Sequence, residues 1–323
     1  MLIGEHRDRL ADHVLQLEII RYLHALNPSL AIGVTCFEQP FQSVLDDYIA
    51  QHITEQQLLA DAEYFSRWGR DYRLYAPILR YARAHALPLV ALSVPSDMHR
   101  AVATAGIASL SEDDRGSVPD EMDDDVPGYR ERVLSDLAAD GPMMPQDATF
   151  LLAAEMLSDE SMAHRAAAYL REHPARQMVM LADVSRLAYR SGVPVRLEQR
   201  ISSPVVTVLP VSADQGYPAD AADYRLATDE MMQLPPRGRM GMRLQDTPGG
   251  VFVQRVRRGS GADQAGMAEG DYLRAINGRD IATLEQLQVQ MWYRVPGETL
   301  TLTIERVAAG VAVMRELMLT LGP

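Results

Sequence analysis

The chain has 323 residues, a mass of 35.8 kDa and a net charge of −13, and all 31 of its basic residues are arginine; such a length suits about two domains. The absence of lysine excludes Schiff-base enzymes, the lysine-bearing phosphate loop and Ser-Lys dyads, and the acid excess argues against a nucleic-acid partner. The single cysteine, Cys36, excludes an internal disulfide, a multi-cysteine zinc site and haem attached through C-x-x-C-H, and it reads as a small buried apolar residue.

The opening Met1-Leu2-Ile3-Gly4-Glu5 reads as the end of a buried strand. It has neither the basic start nor the apolar core of a signal peptide, and entry in mid-strand leads us to expect an upstream segment. No apolar run approaches the roughly 18 residues that span a bilayer. Val14, Leu15, Leu17, Ile19 and Leu23 are spaced for a helix over 14–25. Residues 30–37 form a short apolar run, a strand. Segments 42–48, 54–65 and 72–85 read as helices, and Thr54 with Gln57 has the spacing of a capping box. A strand over 87–92 and a helix over 97–106 follow. Residues 112–125 carry eight carboxylates and one arginine, a solvated loop or lid that lacks the calcium pattern D-x-[DN]-x-[DN]-G. A long helix over 149–170 precedes strands at 177–182 and 205–209. Alternation of this kind predicts an α/β fold, a mostly parallel sheet with helices on both faces.

From 212 to 239 proline, glycine, aspartate and alanine dominate, as in a linker or wrapping segment. Beyond it, β-rich runs at 250–256, 272–276, 299–306 and 313–320 surround one helix at 284–293, a small α+β domain. We therefore expect a first domain over 1–225, a linker over 226–238 and a second domain over 239–323.

Arg239-Met240-Gly241-Met242-Arg243-Leu244, then Gly250-Val251-Phe252-Val253, Gly259-Ser260-Gly261-Ala262, Gly270-Asp271-Tyr272-Leu273 and Ile276-Asn277-Gly278, resemble a PDZ domain in the family's order. The resemblance implies an extended peptide added to the strand edge at 242–244. Its terminal carboxylate would meet backbone N–H groups of the Met240-Gly241-Met242 turn. Leu244, Leu287 and Met291 would line the pocket for an apolar last residue.

Gly4-Glu5-His6-Arg7-Asp8, with Asp12, His13 and Gln16, resembles the opening of the ChaN family, haem-binding envelope lipoproteins of iron uptake related to the Tiki metalloproteases and the erythromycin-esterase-like hydrolases. Phe37-Glu38, Trp68, Tyr72, Tyr75, the block Glu155-Met156-Leu157-Ser158-Asp159-Glu160 and the closing Tyr189-Arg190-Ser191-Gly192-Val193-Pro194-Val195-Arg196-Leu197 follow in the family's order. The resemblance implies haem held between two subunits, hence a homodimer, and a place in the periplasm or on the outer membrane as a lipoprotein. Tyr72 and Tyr75 are the haem-ligand candidates by chemistry.

The chain departs from the family where the family keeps histidine. Its two histidine positions fall on Arg7 and Arg186, and arginine neither ligates a metal nor takes up a proton. With Glu5, Asp8, His13, Glu38, Glu155 and Asp159 as the rest of the family site, Glu5, Glu38, Glu155 and Asp159 are expected to converge. Arg7 and Arg186 are then expected to pair with carboxylates, giving a degenerate, pseudoenzyme site. Two further readings stay open: a metal-dependent hydrolase using Glu5, His6, His13 and Glu38, and a non-catalytic scaffold acting through the PDZ domain alone.

Overall fold

The computed structural model describes residues 1–119, 122–123, 125–139, 145–211, 217–229, 231–308 and 311–323. By contact the chain forms two units, Met1–Thr54 with Leu74–Gln233, and Glu55–Arg73 with Leu234–Pro323. In chain order its helices are α1 (Leu10–Leu26), α2 (Gln42–Ile49), α3 (Glu55–Asp61), α4 (Tyr64–Arg67), α5 (Tyr72–Ala84), α6 (Ser96–Ala105), α7 (Glu112–Arg115), α8 (Tyr129–Ala139), α9 (Pro145–Glu172), α10 (Val184–Leu187), α11 (Val193–Glu198), α12 (Gly261–Gln264) and α13 (Leu284–Met291).

The first unit is built on strands β1 (Leu2–Glu5), β2 (Leu30–Glu38), β3 (Leu89–Ser93), β4 (Gln177–Asp183), β5 (Thr207–Val211) and β6 (Tyr224–Ala227). They pair in parallel in the order β3-β2-β4-β1-β5-β6. Helices cover such sheets, so the central strands read as unbroken apolar runs; every residue of β1 and β2 is buried. Parallel register sets Leu2 beside Met180 and Glu5 beside Asp183, so both acidic residues stand at the strands' carboxyl ends.

Several elements differ from the sequence reading, and the helix read over 54–65 is two, α3 and α4. β6 lies across the segment read as the start of a linker; all four of its residues are exposed, and an edge strand without an apolar face leaves no periodic signal. Helix α8 was not expected, because its apolar residues are diluted by Arg130, Glu131, Arg132 and Asp136. In the acidic stretch, α7 is one turn capped by the Ser111 hydroxyl. Farther along, the Asp123 amide donates to Glu160 (2.9 Å) and its carboxylate accepts from Gln199 (2.8 Å), so the stretch is pinned at that point; residues 120, 121 and 124 lie outside the described ones.

The second unit carries β7 (Met242–Thr247), β8 (Gly250–Val256), β9 (Tyr272–Ile276), β10 (Arg279–Asp280), β11 (Thr299–Ala308) and β12 (Val311–Thr320), antiparallel in the order β12-β11-β9-β8-β7 with β10 on β9. Val251, Val253, Leu273, Leu300, Leu302, Ile304 and Leu319 fill its core. Residues 55–73, expected in the first domain, belong here. The Trp292 ring stands edge-on to Tyr72 at 4.9 Å, and Tyr72 to Tyr64 at 5.1 Å. The Phe65 amide donates to Glu285 (3.0 Å) and Arg279 to Gln56 (2.8 Å). Among the described residues no helix is long and apolar enough to cross a membrane.

Trp292 is 6% exposed at the centre of this aromatic contact. Trp292→Ala should cost about 3 kcal/mol and speed amide exchange over 64–72, leaving the amides of β1 and β4 protected. Unchanged exchange over 64–72 would refute the assignment of that segment.

Candidate functional site

Open parallel sheets present their ligand sites outside the carboxyl ends of the strands. Here β1 delivers Glu5, β4 delivers Asp183 and α10 delivers Arg186 directly after it. Glu155 and Asp159 lie four apart on α9 and so share one helix face. Arg186 bridges them, donating to Asp159 at 2.6 Å and to Glu155 at 2.8 Å. Arg7 meets Asp183 at 3.0 Å, and Asp183 also accepts from the Ser185 amide and hydroxyl.

Gly192 fixes this arrangement. A Cβ there would stand 2.2 Å from the Arg186 carbonyl oxygen and 3.1 Å from the Asp159 carboxylate, so only glycine lets the two loops close. Tyr189 and Arg190 between them both adopt positive φ, 57° and 58°, each costing about 1–2 kcal/mol for a residue with a side chain. Arg190 offsets part of this by donating to Asp223, Glu198 and the Val205 carbonyl. Tyr189 remains 45% exposed.

The electrostatics follow from burial and from Arg186. Burial alone would raise the Glu155 carboxyl, but Arg186, His99 (3.2 Å) and Arg7 outweigh it and hold its pKa at about 2. Burial raises Asp159 in spite of Arg186. Burial opposes the Arg186 charge too, yet its two carboxylates push its pKa above the usual arginine value. Arg7, Arg132, Asp136, Glu155, Asp159, Asp183 and Arg186 line a cavity of about 220 Å³. In its wall all three Arg132 guanidinium nitrogens are buried without a hydrogen-bond partner among the described residues, and burial lowers the pKa of that group.

Glu5 and Glu38 do not join this cluster, contrary to expectation. Glu5 is fully buried and accepts from the Tyr75 hydroxyl (2.6 Å) and from Gln16 (2.8 Å), turned toward α1 and α5. Glu38 accepts from the Ser96 amide (3.0 Å) at the start of α6. His13 is buried against the Tyr75 ring at 4.5 Å; its Nδ1 stands 3.7 Å from Glu5, and among the described residues neither ring nitrogen has a hydrogen-bond partner. His6 pairs with Asp12 at 2.7 Å, and Asp8 is exposed. Among the described residues no three His, Cys, Asp or Glu side chains are grouped to hold a metal. Cys36 is buried, and burial with the nearby Glu5 charge raises its thiol pKa well above the ordinary value. The two candidate haem-ligand tyrosines fall in different units. Tyr75 spends its hydroxyl on Glu5, and Tyr72 is fully buried and donates to Glu55 at 3.0 Å.

The second unit holds its own site. Gly241 takes φ 81°, and a Cβ there would meet the Ser260 Cβ at 2.3 Å. Its carbonyl accepts from the Arg257 amide and the Ser260 hydroxyl, and the Met240 carbonyl accepts from Ala262. Among the described residues the amides of Met240 and Gly241 have no partner, so two donors are left in a left-handed turn, the geometry that cradles an anion. The turn opens into a cavity of about 1000 Å³ lined by Met240, Gly241, Met242, Leu287 and Met291, with Phe65 and Arg70 forming a further wall. Leu244 does not line it; one pleat farther along β7, it packs on the core.

Arg132, Tyr129, Asp183 and the exposed Tyr189 were not singled out from sequence. Arg132 and Tyr129 sit on the unexpected helix α8. Tyr189 was visible only as part of a motif, and its positive φ has no sequence signature, since tyrosine rarely adopts it.

A family model described as haem-binding uptake, Tiki superfamily, ChaN matches residues 1–197, and a PDZ-domain model matches residues 230–305. Among solved structures, one describing cofacial heme binding to ChaN of Campylobacter jejuni superposes with a TM-score of 0.55 at 13% identity, covering 71% of this chain and 86% of that one. A serine endoprotease from Yersinia pestis gives 0.23 at 22% identity over 27% of this chain and 29% of that one. The protein RETICULATA-RELATED 5, chloroplastic, of Arabidopsis thaliana is 30% identical over 109 residues, which is 32% of this chain and 14% of that protein's length.

Arg186→Met should destabilise the protein by about 3 kcal/mol at pH 7, because it takes the guanidinium from the buried Asp159 and from the partly buried Glu155. The sign with pH is fixed. In the parent, Glu155 titrates near 2, below its unfolded value, so its stabilisation is lost as pH falls through the acid range. In the variant both carboxylates gain by protonation, so the difference between the two proteins should shrink toward pH 4. Urea unfolding at the two pH values measures it, and a constant difference would refute the pairing.

Proposed function

Since the chain belongs to the ChaN family of haem-binding uptake proteins in the Tiki superfamily, we propose that it is a haem- or porphyrin-associated protein of the cell envelope that also binds peptide carboxyl termini and does not hydrolyse. The observation that carries the non-hydrolytic part is the Arg186 bridge: a permanent cation spends its donors on Glu155 and Asp159. A guanidinium offers no lone pair to a metal and takes no proton from water.

The residues at the sheet's carboxyl ends fit a haem. Tyr189 is exposed, held in a strained turn, and carries an oxygen of the kind that ligates ferric iron. Arg132 has an unsatisfied guanidinium suited to a propionate. When bound, haem would supply an iron centre and a large apolar face; Tyr189 would hold the iron and Arg132 would orient the macrocycle. The 220 Å³ cavity is smaller than the about 300–1,000 Å³ typical of enclosed ligand sites, so one copy of the chain would not enclose a porphyrin there. A second copy of the chain would complete the enclosure, which would couple haem binding to dimerisation. The turn at Met240-Gly241-Met242, with its two unpartnered amides, supports the peptide reading.

Titration of the full chain with haemin, followed by absorption and by sedimentation, tests the proposal. We expect a saturable spectral shift and a monomer-to-dimer change, with Tyr189→Phe weakening binding about tenfold or more. Peptide binding without haemin binding would favour the scaffold reading, and bound zinc or manganese in the purified protein would overturn the non-hydrolytic part. A lipoprotein signal encoded upstream of Met1 is the expected finding for an envelope location.

A further inference from the structure

Residues 234–323 hold eleven arginines against nine acidic residues, within a chain of net charge −13. Much of this positive charge gathers around the second unit's cavity, whose lining includes Arg239, Arg243, Arg255, Arg257 and Arg258, with Arg70 from the wall supplied by residues 65–71. Among the described residues none of these six is paired with a carboxylate. The carboxylates of the same lining are Asp71 and Glu269, and Asp71 is already held by Arg73 at 2.8 Å.

One pair is placed unfavourably for the free protein. Arg243 on β7 stands directly opposite Arg255 on β8, both exposed. Like charges at directly opposed positions destabilise a sheet, and an anion between them reverses the sign of that interaction.

Strand β7 ends the sheet, so its outer edge is open to an added strand. Side chains alternate along such a strand. A peptide whose last side chain enters the pocket beside Leu287 and Met291 therefore turns its second- and fourth-from-last side chains to the other face. Arg243 alternates with Met242 and Leu244 along β7 and stands on that other face, with Arg255 as its cross-strand neighbour.

Resting on the peptide-binding reading above, we infer that this groove is specific for acidic carboxyl termini: an apolar last residue preceded by aspartate or glutamate at the second- and fourth-from-last positions, paired with Arg243 and Arg255. The terminal carboxylate sits at the Met240 and Gly241 amides. The arginine rim adds long-range attraction for an acidic tail and repels a basic one.

Ten-residue labelled peptides sharing a terminal valine test it by fluorescence anisotropy on the full chain. One carries glutamate at the two positions, one glutamine, one lysine, and a fourth repeats the glutamate sequence with an amidated end. The glutamate peptide should bind about fivefold tighter than the glutamine peptide or better, and the lysine peptide more weakly than both. This gap should close in about 1 M salt, where the screening length falls to about 3 Å. The double variant Arg243→Glu with Arg255→Glu should reverse the order in favour of lysine. Equal affinity for the glutamate and glutamine peptides, with amidation still abolishing binding, would overturn the acidic specificity and leave peptide binding standing. Failure of every free-carboxylate peptide to bind would overturn both.

Discussion

The first unit depends on one fully buried arginine. Arg196 is 0% exposed and uses its whole fork: Nε donates to Glu160, one Nη to the carbonyls of Ser191 and Gly192, the other to the carbonyl of Asp123. The Tyr129 ring lies 4.2 Å from its guanidinium carbon. Glu160 in turn accepts from Arg200 and from the Asp123 amide. Stripping water from such an ion pair costs several kcal/mol, recovered only when every donor finds an acceptor. That requirement ties α11, α9, the start of α8, the acidic stretch and the Ser191-Gly192 loop to one geometry, and lysine with its single ammonium could not replace the fork.

The second arginine cluster builds on the first. Arg196 holds the Gly192 carbonyl, Gly192 packs closely on the Arg186 carbonyl, and Arg186 reaches Glu155 and Asp159. The strain at Tyr189 and Arg190 lies between these two anchors. Strained residues persist where surrounding structure over-determines them, and here two guanidinium networks do so. The result leaves the Tyr189 side chain 45% exposed, three residues beyond Arg186, which lines the cavity with Arg132.

The second unit uses its charges differently. Arg70, Arg239, Arg243, Arg255, Arg257 and Arg258 line a groove and stay exposed, where a charge is worth little for stability but much for selecting a partner. The segment 55–73 shapes this groove although it lies within the stretch matched by the haem-binding family, because Tyr64, Tyr72 and Trp292 form one continuous aromatic contact. Sequence distance hides that contact: residues 72 and 292 share no local pattern, and only packing joins them.

The sequence by itself determined the two-domain content, the parallel sheet and the arginines at 7 and 186. Apolar runs at 30–37, 87–92 and 177–182 have one low-energy use, strands buried on both faces, and the ordered motifs gave each domain its family. It was silent on β6 and α8, whose exposed or charged faces carry no periodicity. It grouped Glu5 and Glu38 with Glu155 and Asp159, yet Glu5 turned to Tyr75 and Gln16, and Glu38 to the start of α6. Tertiary structure alone decided which carboxylate meets which arginine. A buried charge takes the partner that satisfies the most hydrogen bonds once the backbone is placed, and residue identity does not encode that placement.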